Sequence, residues 1–137
     1  MESKGPVWVI AEQVDCRLLS ISLQLIGKAR KLADGLETSV EAVLMGHHID
    51  PLPRQLIAAG ADRVYVANDP ALINYQPELY TEMVAGGAKT RKPEIILIGS
   101  TAMGRELAPL VAAGLGVVQP VPVVDGLYRP SVDLAPL

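Results

Sequence analysis

The segment Gly99-Ser100-Thr101-Ala102-Met103-Gly104-Arg105-Glu106 holds the densest set of groups with chemical potential in the chain. Four aliphatic residues precede it and a helical pattern follows. Small residues let a backbone approach a ligand closely, and the N–H groups at a helix start favour anions. Ser100 and Thr101 add hydroxyls, and Arg105 adds a permanent positive charge. Gly99, Ser100, Thr101, Gly104 and Arg105 are therefore the candidate contacts for a nucleotide phosphate. The spacing is not that of a P-loop, since the Gly-Lys-Ser/Thr ending is absent, nor is it Gly-x-Gly-x-x-Gly. The same residues also suit ordinary capping of a helix that follows a strand, with Arg105 and Glu106 left for interface ion pairs.

Other polar groups are weaker candidates. His47 and His48 are adjacent, so their side chains are expected to diverge, and Asp50 does not complete a ligand set. No metal site is expected. Glu12 and Asp15 follow the first apolar run and read as solvated loop carboxylates, with ligand or partner contact as the alternative. Cys16, the single cysteine, excludes an internal disulfide, fits a reducing compartment and reads as incidental. No Ser-His-Asp set, Cys-His set or acid/base carboxylate pair is visible. The expectation is a chain with no complete catalytic site of its own.

The elements that must position these groups alternate. Val7-Trp8-Val9-Ile10-Ala11 is continuously apolar, as suits a strand buried on both faces, and a turn centred near Asp15 follows. Ile21, Leu25, Ala29, Leu32 and Leu36 make one helical stripe, with Gly35 as its stop signal. Val40 to Met45 is the second strand, ending at Gly46. A short helix over about 54–59 closes at Gly60, and Arg63 to Ala67 is the third strand. A longer helix begins near Pro77. Gly86-Gly87 should fray or kink it, because each glycine costs about 1 kcal/mol relative to alanine. The fourth strand is Ile95 to Ile98, followed by a helix from about Gly104 to Leu115. A last extended stretch after Gly116 contains Pro120 and Pro122, which argue for an edge strand or a strap. The domain is placed at 1–124, with 125–137 as a poorly ordered tail or the start of a linker. The alternation implies right-handed crossovers and a three-layer α/β/α sandwich with a mainly parallel sheet. Ligand-side loops then follow Ala11, Met45, Ala67 and Ile98.

Bulk composition narrows the function classes. The chain has 137 residues, half of them hydrophobic, with no Phe and one Trp, which suits one domain with an aliphatic core. A formal net charge of −3, with no basic stripe, argues against nucleic-acid binding. No apolar run approaches the roughly 20 residues that span a bilayer, so membrane insertion is not expected. The polar start from Met1 to Lys4 does not read as a secretory leader.

Three segments resemble the N-terminal domain of the electron transfer flavoprotein α subunit. They are Val9-Ile10-Ala11-Glu12 with Leu25 to Ala33; Gly60 to Ala67 with Asp69-Pro70, Leu72 and Tyr75; and Gly99-Ser100-Thr101 with Gly104-Arg105-Glu106-Leu107-Ala108-Pro109. The resemblance implies an adenine nucleotide alpha hydrolase-like fold, and a role as scaffold and β-subunit interface in a flavin-based electron carrier. It implies three partners: a β subunit, the FAD-binding C-terminal domain of the α subunit, and dehydrogenases that donate electrons. It places the protein in the cytoplasm, or in the mitochondrial matrix of a eukaryote. FAD belongs to the parent complex and is held mainly by that C-terminal domain, which is expected to begin where this chain ends. Leu110 and Gly114 stand where the family often has arginines, and Val117 to Pro122 departs from its Asp-Cys segment. Both departures argue against FAD held by this domain alone. The alternative from another class is a nucleotide-binding module of the universal-stress-protein type, for which Gly114 and Gly116 lie at suitable distances but lack the following Ser or Thr. A stand-alone adenylating enzyme is the third possibility, and no pyrophosphate signature supports it.

Overall fold

A computed structural model describes residues 4–116 in full and the backbone of 121–123 and 127–129. The principal strands are β1 (Val7–Ala11), β4 (Val40–Gly46), β5 (Arg63–Asn68) and β6 (Ile95–Gly99). They are joined through α1 (Ser20–Leu36), α2 (Leu52–Ala59) and α3 (Pro77–Arg91), and α4 (Ala102–Gly114) follows β6. A small hairpin, β2 (Gln13–Val14) and β3 (Arg17–Leu18), intervenes between β1 and α1, and two short strands, β7 (Val121–Val123) and β8 (Leu127–Arg129), come last. The sheet order is β5-β4-β1-β6-β8-β7, with β5, β4, β1 and β6 parallel and β8 and β7 antiparallel.

Strand alternation divides the core into two. Val7, Val9 and Ala11 of β1 join Val40, Ala42 and Leu44 of β4 and Ile95 and Leu97 of β6 on one face, beneath α1 and α2. Trp8 and Ile10, Val43 and Met45, and Ile96 and Ile98 face α3 and α4. Every residue of β1, β4 and β6 is buried, which is why β1 and β6 read as unbroken apolar runs and β4 as one interrupted only by Glu41. The connections from β1 to β4 to β5 use helices on one face, and the return from β5 to β6 uses α3 on the other. Crossovers of a single hand require this arrangement, and it makes the three-layer α/β/α sandwich that alternation predicts.

The element ends differ from expectation in instructive ways. α1 runs past Gly35 to Leu36, and Glu37 takes the left-handed cap (φ 57°) that glycine commonly fills. α3 neither frays nor breaks at Gly86-Gly87. It continues to Arg91 and stops at left-handed Lys92 (φ 52°), just before Pro93. The first glycine is open to solvent, but a Cβ on Gly87 would stand 3.1 Å from Cη2 of Trp8. The missing side chain is the seat of the indole.

Glu41, the second residue of β4, is a carboxylate inside an otherwise apolar strand and is only 2 % exposed. It accepts hydrogen bonds from the Trp8 indole N–H at 3.0 Å and from Arg91 at 3.2 and 2.5 Å. Burial alone would push its carboxyl up. Arg91 and the indole more than offset that and hold it below the usual carboxylate range.

Pro122 lies in the edge strand β7, as its missing N–H demands. The tail expected from Asp125 contains strand β8, which pairs with the end of β6 through Ile98↔Tyr128 and Gly99↔Leu127. The remainder of that expectation lies outside the described residues.

Candidate functional site

The carboxyl ends of β1, β4, β5 and β6 share one edge of the sheet. β1 and β6 are neighbours there, and the helices that follow them, α1 and α4, pack on opposite faces. This is the point where strand order reverses and where ligands of such sheets bind. The residue after β1 is Glu12, and the residues after β6 are Ser100 and Thr101.

Thr101 starts α4 from extended backbone (φ −85°, ψ 173°), and its hydroxyl accepts from the Gly104 N–H at 3.0 Å. The same hydroxyl donates toward the Glu12 carboxylate, 2.8 and 2.9 Å from its two oxygens. Glu12 was expected in solvent and is 6 % exposed. The carboxylate is carried inward because its backbone is clamped by buried Ser22 on α1. The Glu12 N–H donates to Ser22 Oγ at 2.7 Å, and that hydroxyl donates back to the Glu12 carbonyl at 3.0 Å. Burial pushes the Glu12 carboxyl above its usual range, opposed in part by the Thr101 hydroxyl.

The five residues singled out in the sequence therefore meet at the switch point, and their groups are directed largely at one another. Gly104 lies against the Gly99 carbonyl, where a Cβ has no room. A Cβ on Gly99 would stand 2.9 Å from Ile21 and 3.3 Å from Glu12 Oε2. Arg105 Nε donates to Ser100 Oγ at 3.3 Å on the surface. An anion at the start of α4 would be placed beside the Glu12 carboxylate, a repulsive neighbour in a poorly solvated spot.

Next to this brace is a cleft of about 460 Å³, bounded by the β2–β3 hairpin, the loop after β4 and the segment around Tyr75. The hairpin turns at Asp15 and Cys16, both left-handed (φ 51° and 61°), which matches the twist of a tight two-residue connection. Gln13 Oε1 receives the Cys16 N–H at 3.0 Å. His47 and His48, expected to diverge, hold their rings 3.7 Å apart, because His48 is left-handed (φ 57°) and its N–H is tied to Asn68 Oδ1 at 3.2 Å. His47 Nδ1 is buried without a hydrogen-bond partner. Tyr75 packs edge-on against Tyr80 at 5.1 Å. Its hydroxyl lies toward Glu106 outside hydrogen-bond geometry, and burial with that carboxylate pushes the phenol well above its ordinary range. Among the described residues no cluster of three metal-ligating side chains occurs.

Sequence reasoning named Glu12 without seeing its burial, and it missed the cleft. The signal for Glu12 was its position directly after a fully apolar strand. No local signal joins it to Thr101, 89 positions away. Gly114, weighed above as a nucleotide contact, sits where α4 crosses α3, and its Cβ would lie 3.2 Å from that of Ala85.

The electron transfer flavoprotein domain matches residues 7–125. The chain belongs to that family. Among curated relatives, the electron transfer flavoprotein subunit alpha of Thermoanaerobacterium thermosaccharolyticum is 45 % identical over 115 residues, covering 84 % of this chain and 35 % of that protein. The subunit of the same name from Megasphaera elsdenii is 42 % identical over 114 residues, 83 % of this chain and 33 % of that protein. That of Clostridium acetobutylicum is 39 % identical over 109 residues, 80 % and 32 %. The chain spans about a third of the length of these relatives.

Proposed function

We propose that the chain acts as the N-terminal domain of an electron transfer flavoprotein α subunit, a rigid scaffold in a flavin-based electron carrier. It docks a β subunit and the FAD-binding C-terminal domain, and the assembled carrier takes electrons from dehydrogenases. FAD would supply the electron transfer when bound, since the redox chemistry is the cofactor's and a protein contributes position and electrostatics. The residues at the switch point of this chain do not fit its pyrophosphate. Glu12 occupies the place of the anion, the Thr101 hydroxyl is taken by Glu12 and the Gly104 N–H, and Gly99 and Gly104 are packed against each other's backbone. That Glu12–Thr101 brace is the observation that carries the scaffold reading. Gly99, Ser100, Thr101, Gly104 and Arg105 hold α4 on the sheet instead of holding a cofactor, and no catalytic step is assigned to them.

No helix among the described residues is long and apolar enough to cross a membrane. The proposed setting is the cytoplasm, or the matrix of a mitochondrion.

The test is an absorbance spectrum and an intact-mass measurement of the purified chain before and after mild denaturation, followed by mixing with a cognate β subunit and C-terminal domain. The expected result is an apo mass, no flavin band, and a complex that elutes as one species. Release of FAD or AMP from the chain alone would overturn the brace reading. Failure to associate with either partner would overturn the scaffold.

A further inference from the structure

Among the described residues two carboxylates are almost fully buried, and they are treated differently. Glu41 has a guanidinium and an indole N–H. Glu12 has no cationic partner among the described residues, only the Thr101 hydroxyl. One hydroxyl carries one proton, whereas a carboxylate offers about four acceptor positions. Burying a charge without a counter-charge is costly, and buried carboxylates are ordinarily paired.

Glu12 also lines the cleft beside the hairpin, and so do the two most exposed large apolar side chains of the described residues, Ile73 (62 % exposed) and Val14 (57 %). Asp15 at the hairpin tip adds negative charge, and Arg105 is turned to Ser100. His47 Nδ1, buried and unpartnered in the same cleft, adds unfilled hydrogen-bonding capacity. An under-paired acid in a cleft that also carries exposed Val14 and Ile73 is the complement of a side chain with an aliphatic stem and a cationic head, flanked by apolar neighbours. Arginine is among the side chains enriched at the energetic centres of protein interfaces.

We propose that this cleft receives an arginine or lysine side chain of a partner polypeptide, whose charged head pairs with Glu12 while the residues beside it cover Val14 and Ile73. The proposal stands on the cleft alone and does not require the electron-carrier reading. Charged hydrogen bonds in such settings are worth enough to change affinity by about tenfold or more.

The test is a titration of the ¹⁵N-labelled chain with the tripeptide acetyl-Leu-Arg-Leu-amide, followed by NMR. The controls are acetyl-Leu-Gln-Leu-amide, n-butylguanidinium and inorganic phosphate. The expected result is that the arginine peptide shifts the amides of Glu12, Cys16, His48 and Ile73. The glutamine peptide should bind about tenfold more weakly, and phosphate should leave these amides in place. Glu12→Gln should reduce arginine-peptide binding to the level of the glutamine peptide. Ile73→Ser, at an exposed position that leaves the fold intact, should weaken it several-fold. Equal binding of the two peptides, or no shift with either, would overturn the proposal. Phosphate binding at these amides would overturn it in favour of an anion site. Binding of n-butylguanidinium as tight as the peptide would replace the polypeptide partner with a small cation.

Discussion

Gly86 and Gly87 are adjacent in one helix, and the structure assigns them opposite responses to the same change. Replacing either with alanine removes the conformational cost of glycine in a helix interior, about 1 kcal/mol. At Gly86 nothing lies within 4 Å of the new methyl group, so that gain should appear whole. At Gly87 the methyl arrives 3.1 Å from Trp8 Cη2 and must displace the ring by a few tenths of an ångström. The ring has little freedom to yield. Trp8 is 2 % exposed, its Nε1 is bonded to Glu41 at 3.0 Å, and Tyr65 stands 6.1 Å away on the same face. Forcing extra volume into a packed core costs about 1–3 kcal/mol, which cancels or exceeds the helix gain. Gly86→Ala should therefore raise the thermal midpoint by about 4 °C for a domain of this size. Gly87→Ala should leave it unchanged or lower it by a similar amount. Differential scanning calorimetry of the two variants reads both, with tryptophan near-UV circular dichroism as a check on the indole. Equal stabilisation by both substitutions would show that Trp8 is not seated against Gly87, and the packing account of the α3 face would be wrong.

Two further outcomes are expected. Because Glu41 is held below its ordinary range in the folded state, its contribution is present above the unfolded carboxylate value near 4.5 and is lost as pH falls through the lower folded value. Glu41→Gln should accordingly lower the urea midpoint at neutral pH and flatten its decline in acid, whereas an unchanged acid limb would count against the Arg91 pairing. Thr101→Val removes the α4 cap, worth about 1 kcal/mol, and strips buried Glu12 of its donor, worth about 1–3 kcal/mol more. Urea denaturation of that variant should show a loss near the sum of the two, and a loss confined to the cap value would mean that the brace contributes nothing.

The alternation of elements was legible because strands buried on both faces leave continuous apolar runs, and β1 was read from Val7 to Ala11 without error. What escaped was anything decided by a contact distant in sequence. The Gly99 and Gly104 positions were recognised as places of close approach, but only the fold shows what approaches: the Ile21 side chain and the Glu12 carboxylate at Gly99, and the Gly99 carbonyl at Gly104. Gly86-Gly87 looked like one weakness, because composition cannot reveal an indole arriving from β1. Glu12 was named because it follows an apolar run; Glu41, an acid inside the run that became β4, was not singled out. A charge in a strand of that kind needs a partner, and neither Arg91 nor Thr101 is near in the chain. The turn at Asp15 was anticipated, yet the cleft it walls depends on three separate loops meeting.

The lone acid of β4 also guards against strand slippage. Side chains alternate between faces, so a shift of β4 by one residue against β1 would carry Glu41 beneath α1 and α2, among Leu25, Ile26 and Ala29. Neither Arg91 nor the Trp8 indole could follow it there. An aliphatic residue at this position would make the two alignments more nearly equal, since both layers of helices present similar apolar surfaces. The ion pair therefore makes the misaligned sheet expensive, and the uniformity that makes this core easy to bury does not make it ambiguous.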